Sequence, residues 1–485
     1  MPRHGVDATM SRSVSNAGTR LAGFGHRWLP FADAASADLS LGRLLRLSLF
    51  QLSTGMAIVL LTGTLNRVMV VELGQPAFWV SLMLAIPLLM APARALIGYR
   101  SDHHRSYLGW RRIPFLWSGT MMQFGGLAFM PFALILMTEP HSGPAFLGPA
   151  AAMASFLLTG LGMHVAQTAG LALATDLATE DTRPRVVALL YLMLLIGMIG
   201  SALIFAALLE DFGYVRLIQV IQSAAVITLV LNVVAMLKQE VRRPDLTDHA
   251  RARPTFGTAW QDFITLPQAR RLLWALGLGT MGFTMQDILL EPYGAEVLGL
   301  SVSDTTLLTA MFAGGMVLAL ILTSRHLGKG SDPIRVASTG ILIGITAFAA
   351  VIMSAPLQAP ALFQIGAASI GLGNGLFAVG MLTAAMEFGG DKMAGLTLGA
   401  WGAVQAAAAG VAMFSGGAIR DLVTGWADAG LLGVALQSPA SGYGAVYHIE
   451  IALLFVALAA MGRLVRRPGE VGENGKRIGL ADFPS

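Results

Sequence analysis

The chain has 485 residues, 55% of them apolar and only 12% charged, with a mean hydropathy of +0.66. Soluble domains carry about 25% charged residues, so charge this scarce excludes a water-covered globule, and the lack of cysteine excludes disulfides, thiolate metal sites and cysteine nucleophiles. The formal net charge of +4 does not point to nucleic acid, because the basic residues fall where membrane loops carry them.

The first 40 residues contain Arg3, Arg12, Arg20 and Arg27 with no uninterrupted apolar core, so no cleavable signal peptide is read there. The stretch 21–31 mixes aromatic and basic residues, and fits an interfacial segment or a disordered tail equally. A membrane span needs about 20 mostly apolar residues. Twelve such segments follow, at 44–71, 77–98, 113–137, 148–171, 185–209, 214–237, 271–293, 304–324, 335–355, 361–386, 394–419 and 446–464. The longest interior connection, 238–270, divides them six and six. The expected organisation is therefore a tail over 1–43, a six-helix half over 44–237, a linker over 238–270, a second half over 271–464 and a tail over 465–485. All but four of the 32 Lys and Arg residues fall in the tails or in loops after even-numbered spans. Positive loops favour the cytoplasm, so both termini are expected there.

Two six-helix halves suggest the major facilitator architecture, an all-α polytopic membrane fold with pseudo-symmetric halves. The loop between spans two and three supports it, with Gly98, Asp102, Gly109, Arg111 and Arg112 forming a Gly, Asp and basic cluster, longer than usual before Gly109. Glycine permits a tight turn there, and the carboxylate can cap the next helix or hold an arginine. Residues 325–335 echo this loop weakly in the second half. Spans one and seven echo each other too. Asn66, Arg67 and Glu72 end the first, and Gln286, Asp287 and Glu291 end the seventh. Internal repeats are expected of transporter folds. They predict a pair between Arg67 and Asp287 across the pseudo-two-fold; the alternative is that both reach interfacial water.

Ionisable residues inside spans default to functional candidates. Arg94 lies one turn from the inner end of its helix and can snorkel. Asp287 and Glu291, four apart, are expected on one helix face, with Glu291 as an outer cap before Pro292. Glu387 falls at the inner end of span ten and Glu450 near the outer start of span twelve. No carboxylate is then placed at the midplane, which argues against an ordinary symporter. His164 lies two thirds of the way through span four, with Gly160 four residues before it and Gln167 three after. A neutral imidazole is a good axial ligand for a metal macrocycle. Helix side chains lean over the residue four back, so Gly160 would leave a flat spot for a planar ring. His448 and Gly444 repeat the spacing at the expected outer mouth of span twelve. An ordinary inter-helix hydrogen bond is the alternative role for His164. Gly371, Gly373, Gly375 and Gly380, then Gly399, Gly402 and Gly410, suit close helix packing. No catalytic constellation is read, so no enzymatic activity is expected.

Across residues 30–465 the chain resembles the PucC/LhaA family, the bacteriochlorophyll-delivery branch of the major facilitator fold in purple phototrophs. The matching stretches are LRLSLFQLSTGMAIVLLTGTLNRVMVVELG (45–74), APARALIGYRSDHHRSYLGWRRIPF (91–115), GMHVAQTAGLALATDLATEDTRPRVVALLYLML (162–194), MQDILLEPYGAEVLGLS (285–301) and AGLTLGAWGAVQAAAAG (394–410). The resemblance implies an assembly factor for light-harvesting antenna complexes in the intracytoplasmic membrane, binding bacteriochlorophyll or scaffolding the antenna ring. It implies as partners the antenna α/β polypeptides, reaction-centre assembly intermediates, chlorophyll synthase and the insertion machinery. His164 and Gln167 fall inside a matching stretch, which strengthens the pigment reading of His164. A proton-coupled secondary transporter of a small solute is the alternative from another class.

Overall fold

The computed structural model describes residues 39–90, 110, 112–138, 143–144, 146–179, 182–240, 267–327, 329–462 and 464. Arg94, Asp102 and the rest of the loop cluster up to Gly109, most of the 238–270 linker and nearly all of both tails lie outside them. The described residues are helical bundle and connections, with no strand among them.

Among the described residues, each of the twelve expected spans contains helix, and ten helices are long and apolar enough to cross a membrane. Span one occupies Leu41–Glu72, span three Ile113–Thr138, span four Leu147–Leu177, span five Arg183–Leu208 and span six Tyr214–Met236. The described part of span two is Ala77–Leu89. In the second half, span eight is Val302–Leu327, nine Pro333–Ser354, ten Pro360–Glu387, eleven Ala400–Asp428 and twelve Ala440–Met461. Helical geometry is continuous from Pro360 to Asp428. Small residues set the packing, since an added Cβ at Gly340 would lie 2.5 Å from the Gly373 carbonyl, and one at Gly373 2.7 Å from that of Gly340.

Spans one and seven depart from regular α-helix, each toward the end of the bundle that bears the one–two and seven–eight connections. This distal end is the one the charge pattern points outward. Span one turns π-helical over Val59–Leu65 and again over Val68–Glu72. Span seven runs as Pro267–Thr284, passes through a 3-10 turn at Met285–Ile288, and resumes as Leu290–Leu298. Pro292 accounts for this break. It has no N–H to donate to the Ile288 carbonyl four residues back, and its ring crowds that carbonyl.

The halves meet along spans two and eleven. An added Cβ at Gly417 would lie 2.7 Å from Ser81 Cβ and 2.8 Å from the Ala77 carbonyl, and one at Gly410 would touch Leu89 at 2.9 Å. The rings of Phe78 and Phe414 sit 5.3 Å apart across this contact. The N-terminus of span two has no side-chain cap of its own, and Asp421 of span eleven supplies one, accepting from the Phe78 N–H at 2.7 Å. At the opposite end, the backbone N–H groups of Arg112 and Ile113, opening span three, donate to Glu240 at 3.1 and 3.0 Å. The Arg112 side chain pairs with Asp176 at 3.0 Å.

Candidate functional site

The broken turn of span seven gathers the polar residues of the interior. The Ile288 carbonyl that Pro292 leaves without an intrahelical donor accepts from Asn66 Nδ2 of span one at 2.8 Å. Buried backbone must find a partner somewhere, and here the opposite half provides it. The Gln286 N–H, released by the 3-10 turn, donates to Glu450 Oε1 at 2.7 Å. Gln286 Nε2 donates to the Asp287 carboxylate. Glu291 accepts from Thr309 Oγ1 at 2.5 Å, and its carboxylate lies over Gly63, where a Cβ would meet it at 2.5 Å.

This geometry corrects four expectations. Arg67 does not pair with Asp287; its ion pair is with Glu72. Two residues five apart face each other across a π-helical turn, whereas an α-helix would set them apart, so the local geometry made a partner that the repeat could not suggest. Glu291 of the other half lies within electrostatic reach of Arg67. Glu291 is no outer cap: it is 4% exposed and sealed under Gly63. Asp287 and Glu291 do not share a continuous helix face, because the break falls between them: Asp287 neighbours Glu450, and Glu291 neighbours span one and Thr309. Glu450 is not at a helix start. Span twelve begins at Ala440, so Glu450 is the eleventh of its 22 residues, with no exposed surface. A buried carboxylate at mid-helix is therefore present, and the argument from its absence fails.

Around Glu450 the chain assembles an aromatic cluster. The Tyr293 ring meets those of Tyr443 at 5.4 Å, Tyr447 at 5.5 Å and Phe363 at 5.3 Å. Toward the distal end, Arg420 of span eleven bonds Glu296 at 2.5 Å, Asp421 at 2.9 Å and Tyr443 Oη at 3.0 Å.

The histidines differ in setting. His164 is buried at 7% exposure in the first half, and Gln167 donates to Gln51 of span one at 3.3 Å. The flat spot expected over Gly160 is filled, because a Cβ there would meet Pro87 Cγ of span two at 2.6 Å. His448 is exposed, about 12 Å into span twelve at 1.5 Å per residue, rather than at the helix mouth. Its Nδ1 lies 2.6 Å from the Gly444 carbonyl. A carbonyl only accepts, so Nδ1 carries a proton, and in the neutral imidazole Nε2 then has the lone pair. Nothing lies within 4 Å of a Cβ built on Gly444. Both residues border a cleft of about 720 Å³ whose walls include Glu296, Gln358, Val423 and Leu436. No cluster of three or more metal-ligating side chains occurs among the described residues.

Of the glycines, Gly371, Gly373, Gly375, Gly380 and Gly410 sit in close helix contacts, whereas Gly402 has open space and Gly399 lies where side chains are not described.

Comparison with known proteins places these features among relatives. The profile of the family described as PUCC protein matches residues 64–469. The chain is 54% identical over 468 residues to an "uncharacterized protein in puhA-bchM intergenic region" of Rhodobacter capsulatus, covering 94% of this chain and 97% of the relative. It is 52% identical to Protein PucC of Rhodovulum sulfidophilum, covering 85% and 92%. It is 28% identical to the "bacteriochlorophyll synthase 44.5 kDa chain" of Rhodobacter capsulatus, covering 86% and 94%. Among solved structures, a bacterial homologue of the iron transporter ferroportin in its inward-facing state aligns with TM-score 0.64 at 14% identity, covering 88% of this chain and 99% of that one. The nucleoside transporter NupG aligns with TM-score 0.62 at 14% identity, covering 88% and 100%. These two likenesses establish the major facilitator-type fold and nothing of cargo.

Proposed function

The chain belongs to the PucC family, and from that premise we propose that it is an assembly factor for photosynthetic light-harvesting antenna complexes, holding bacteriochlorophyll for the antenna α/β polypeptides. The name of one relative, a bacteriochlorophyll synthase chain, supports a link to this pigment. The observation that carries the pigment reading is His448. An imidazole whose Nδ1–H is held by a backbone carbonyl presents Nε2 in a fixed direction, the second-shell arrangement usual for ligating histidines. Gly444 leaves the neighbouring surface flat, and the cleft volume lies within the usual range of ligand sites, about 300–1,000 Å³. The residues present therefore fit a macrocycle better at His448 than at His164, whose glycine is covered by Pro87. When bound, the pigment supplies the light-absorbing ring and its central metal. The chain's residues would hold it through the His448 Nε2 nitrogen and, at Gly444, a flat wall.

In the same proposal both termini are cytoplasmic, from the basic loops, and the protein resides in the bacterial inner, intracytoplasmic membrane. Reaction-centre assembly intermediates, chlorophyll synthase and the insertion machinery are its proposed neighbours. A proton-coupled secondary transporter is the second reading, and the mid-helix burial of Glu450 favours it.

The test is a near-infrared absorption spectrum of the protein purified in mild detergent from a pigment-making host lacking both antenna complexes. A bacteriochlorophyll band at fixed stoichiometry is expected, lost in His448→Leu and retained in His164→Leu. Retention in His448→Leu with loss in His164→Leu would move the ligand to span four. No band from folded protein active in antenna assembly would leave a scaffold that binds no pigment.

A further inference from the structure

We propose that the break in span seven is a binding site for one small monovalent cation, a proton or a sodium ion, held between Glu450 and Asp287. The site is separate from the His448 cleft and does not rest on the pigment reading. Glu450 has no exposed surface, and Gln286 is 1% exposed. Glu450 Oε1 accepts the Gln286 N–H, while Glu450 Oε2 and Gln286 Oε1 have no hydrogen-bond partner among the described residues. Gln286 Nε2 meanwhile contacts the Asp287 carboxylate, so one residue is bonded to both acids and still presents a bare, buried acceptor beside them. Asn66 Oδ1, whose amide nitrogen serves the same turn, is likewise without a donor.

Oxygen acceptors thus collect at the turn without matching positive charge. Among the described residues neither Asp287 nor Glu450 has an ion-pair partner. Span seven also carries Glu291, bonded to Thr309, and Tyr293; span one brings Arg67, ion-paired with Glu72; span twelve brings Tyr443 and Tyr447, the hydroxyl of Tyr447 being without a partner among the described residues. Span nine carries no ionisable side chain between Arg335 and Ser354. Span eleven offers Arg420 and Asp421, already bonded to each other, with Arg420 also on Glu296 and Tyr443. Glu450 is fully buried and Asp287 half-buried, and a buried carboxyl group without a counter-charge takes up a cation or a proton, because an isolated buried charge is costly. The location gives the site a consequence. Asn66 joins the turn from the other half, so occupancy bears on how the two halves are held together.

The experiment is infrared difference spectroscopy of the full-length protein in lipid, with wild type and Glu450→Gln compared. One arm exchanges sodium for choline at fixed pH and ionic strength; the other steps pH without sodium. A sodium site predicts a carboxylate-band change on sodium addition that Glu450→Gln abolishes. A proton site predicts no sodium response and a pH-dependent protonated-carboxyl band that Glu450→Gln removes. Asp287→Asn, with Glu450 intact, should shift the midpoint of whichever response is seen by at least several-fold in concentration. The proposal is overturned if neither arm changes a band that depends on Glu450 in protein whose helical content matches wild type.

Discussion

Alanine at Gly417 should destabilise the joint between the halves, while alanine at Gly402 of the same helix should not. Both substitutions gain the same helix propensity, about 1 kcal/mol over glycine. They differ in what the new methyl meets. At Gly402 nothing lies within 4 Å, so the propensity gain stands. At Gly417 the methyl would sit 2.8 Å from the Ala77 carbonyl and 2.7 Å from Ser81 Cβ. The Ser81 hydroxyl is bonded to the Phe78 carbonyl at 2.8 Å, and the Ala77 carbonyl is backbone and cannot turn aside. The helices must part by several tenths of an ångström, an overpacking cost of about 1–3 kcal/mol. Because propensity cancels between the variants, that range is also their expected difference in stability. Thermal unfolding in one detergent, ranked rather than converted to equilibrium values, reads it as a melting temperature several degrees lower for Gly417→Ala than for Gly402→Ala. Equal shifts would mean that spans two and eleven are not in contact at this end.

Two further outcomes follow from the same joint. Arg420→Ala should cost about 3–5 kcal/mol, because Glu296 and Asp421 lose their common counter-charge in a mostly buried place; denaturation should show it, with partial recovery when Glu296→Gln is added. Ser81→Cys with Gly417→Cys should form a disulfide on oxidation once the two helices part by about 1 Å, because the Cβ positions are 2.7 Å apart against the ~3.5–4.5 Å a disulfide needs; no native cysteine competes. Antenna assembly should persist in the oxidised protein; assembly lost on oxidation and restored on reduction would show that the halves must separate at this end, as a transport cycle requires.

The twelve spans were legible because each is a long apolar run. What escaped sequence reading has identifiable causes. Span twelve opens with Ala440, Ser441, Gly442, Tyr443 and Gly444, whose small and polar side chains dilute hydropathy, so its start was placed six residues late. That shift moved Glu450 from mid-helix to helix end and removed the interior carboxylate from view. Pro292 was a readable signal: counting four back reaches Ile288, the carbonyl it leaves free. The pairing of Arg67 with Glu72 was not readable, because an α-helical wheel does not bring residues five apart together and nothing in the composition announces a π-helical turn. The filling of the Gly160 face by Pro87 depends on how spans two and four cross, which a helix-by-helix reading does not contain.

The irregularities of spans one and seven have a common logic. A helix in lipid can afford a break only where other groups satisfy the released backbone. In span seven the released carbonyl is served by Asn66 of span one, and the released Gln286 N–H by Glu450 of span twelve. In span one the π-helical stretch carries Gly63, and only a residue without a side chain leaves room for Glu291. The echo between Asn66, Arg67, Glu72 and Gln286, Asp287, Glu291 is therefore structural as well as sequential, although its members do not pair as mirror images. Asn66 of one copy serves the backbone of the other, and the glutamate of that other copy packs against the first. Moving the halves apart at this end would strip the Ile288 carbonyl of its donor and uncover Glu291 in the same step. Apolar helix packing alone would let the halves slide with little selectivity. The Asn66 hydrogen bond to the Ile288 carbonyl is made or broken as the halves meet or part, and the proposed cation site lies on the same turn.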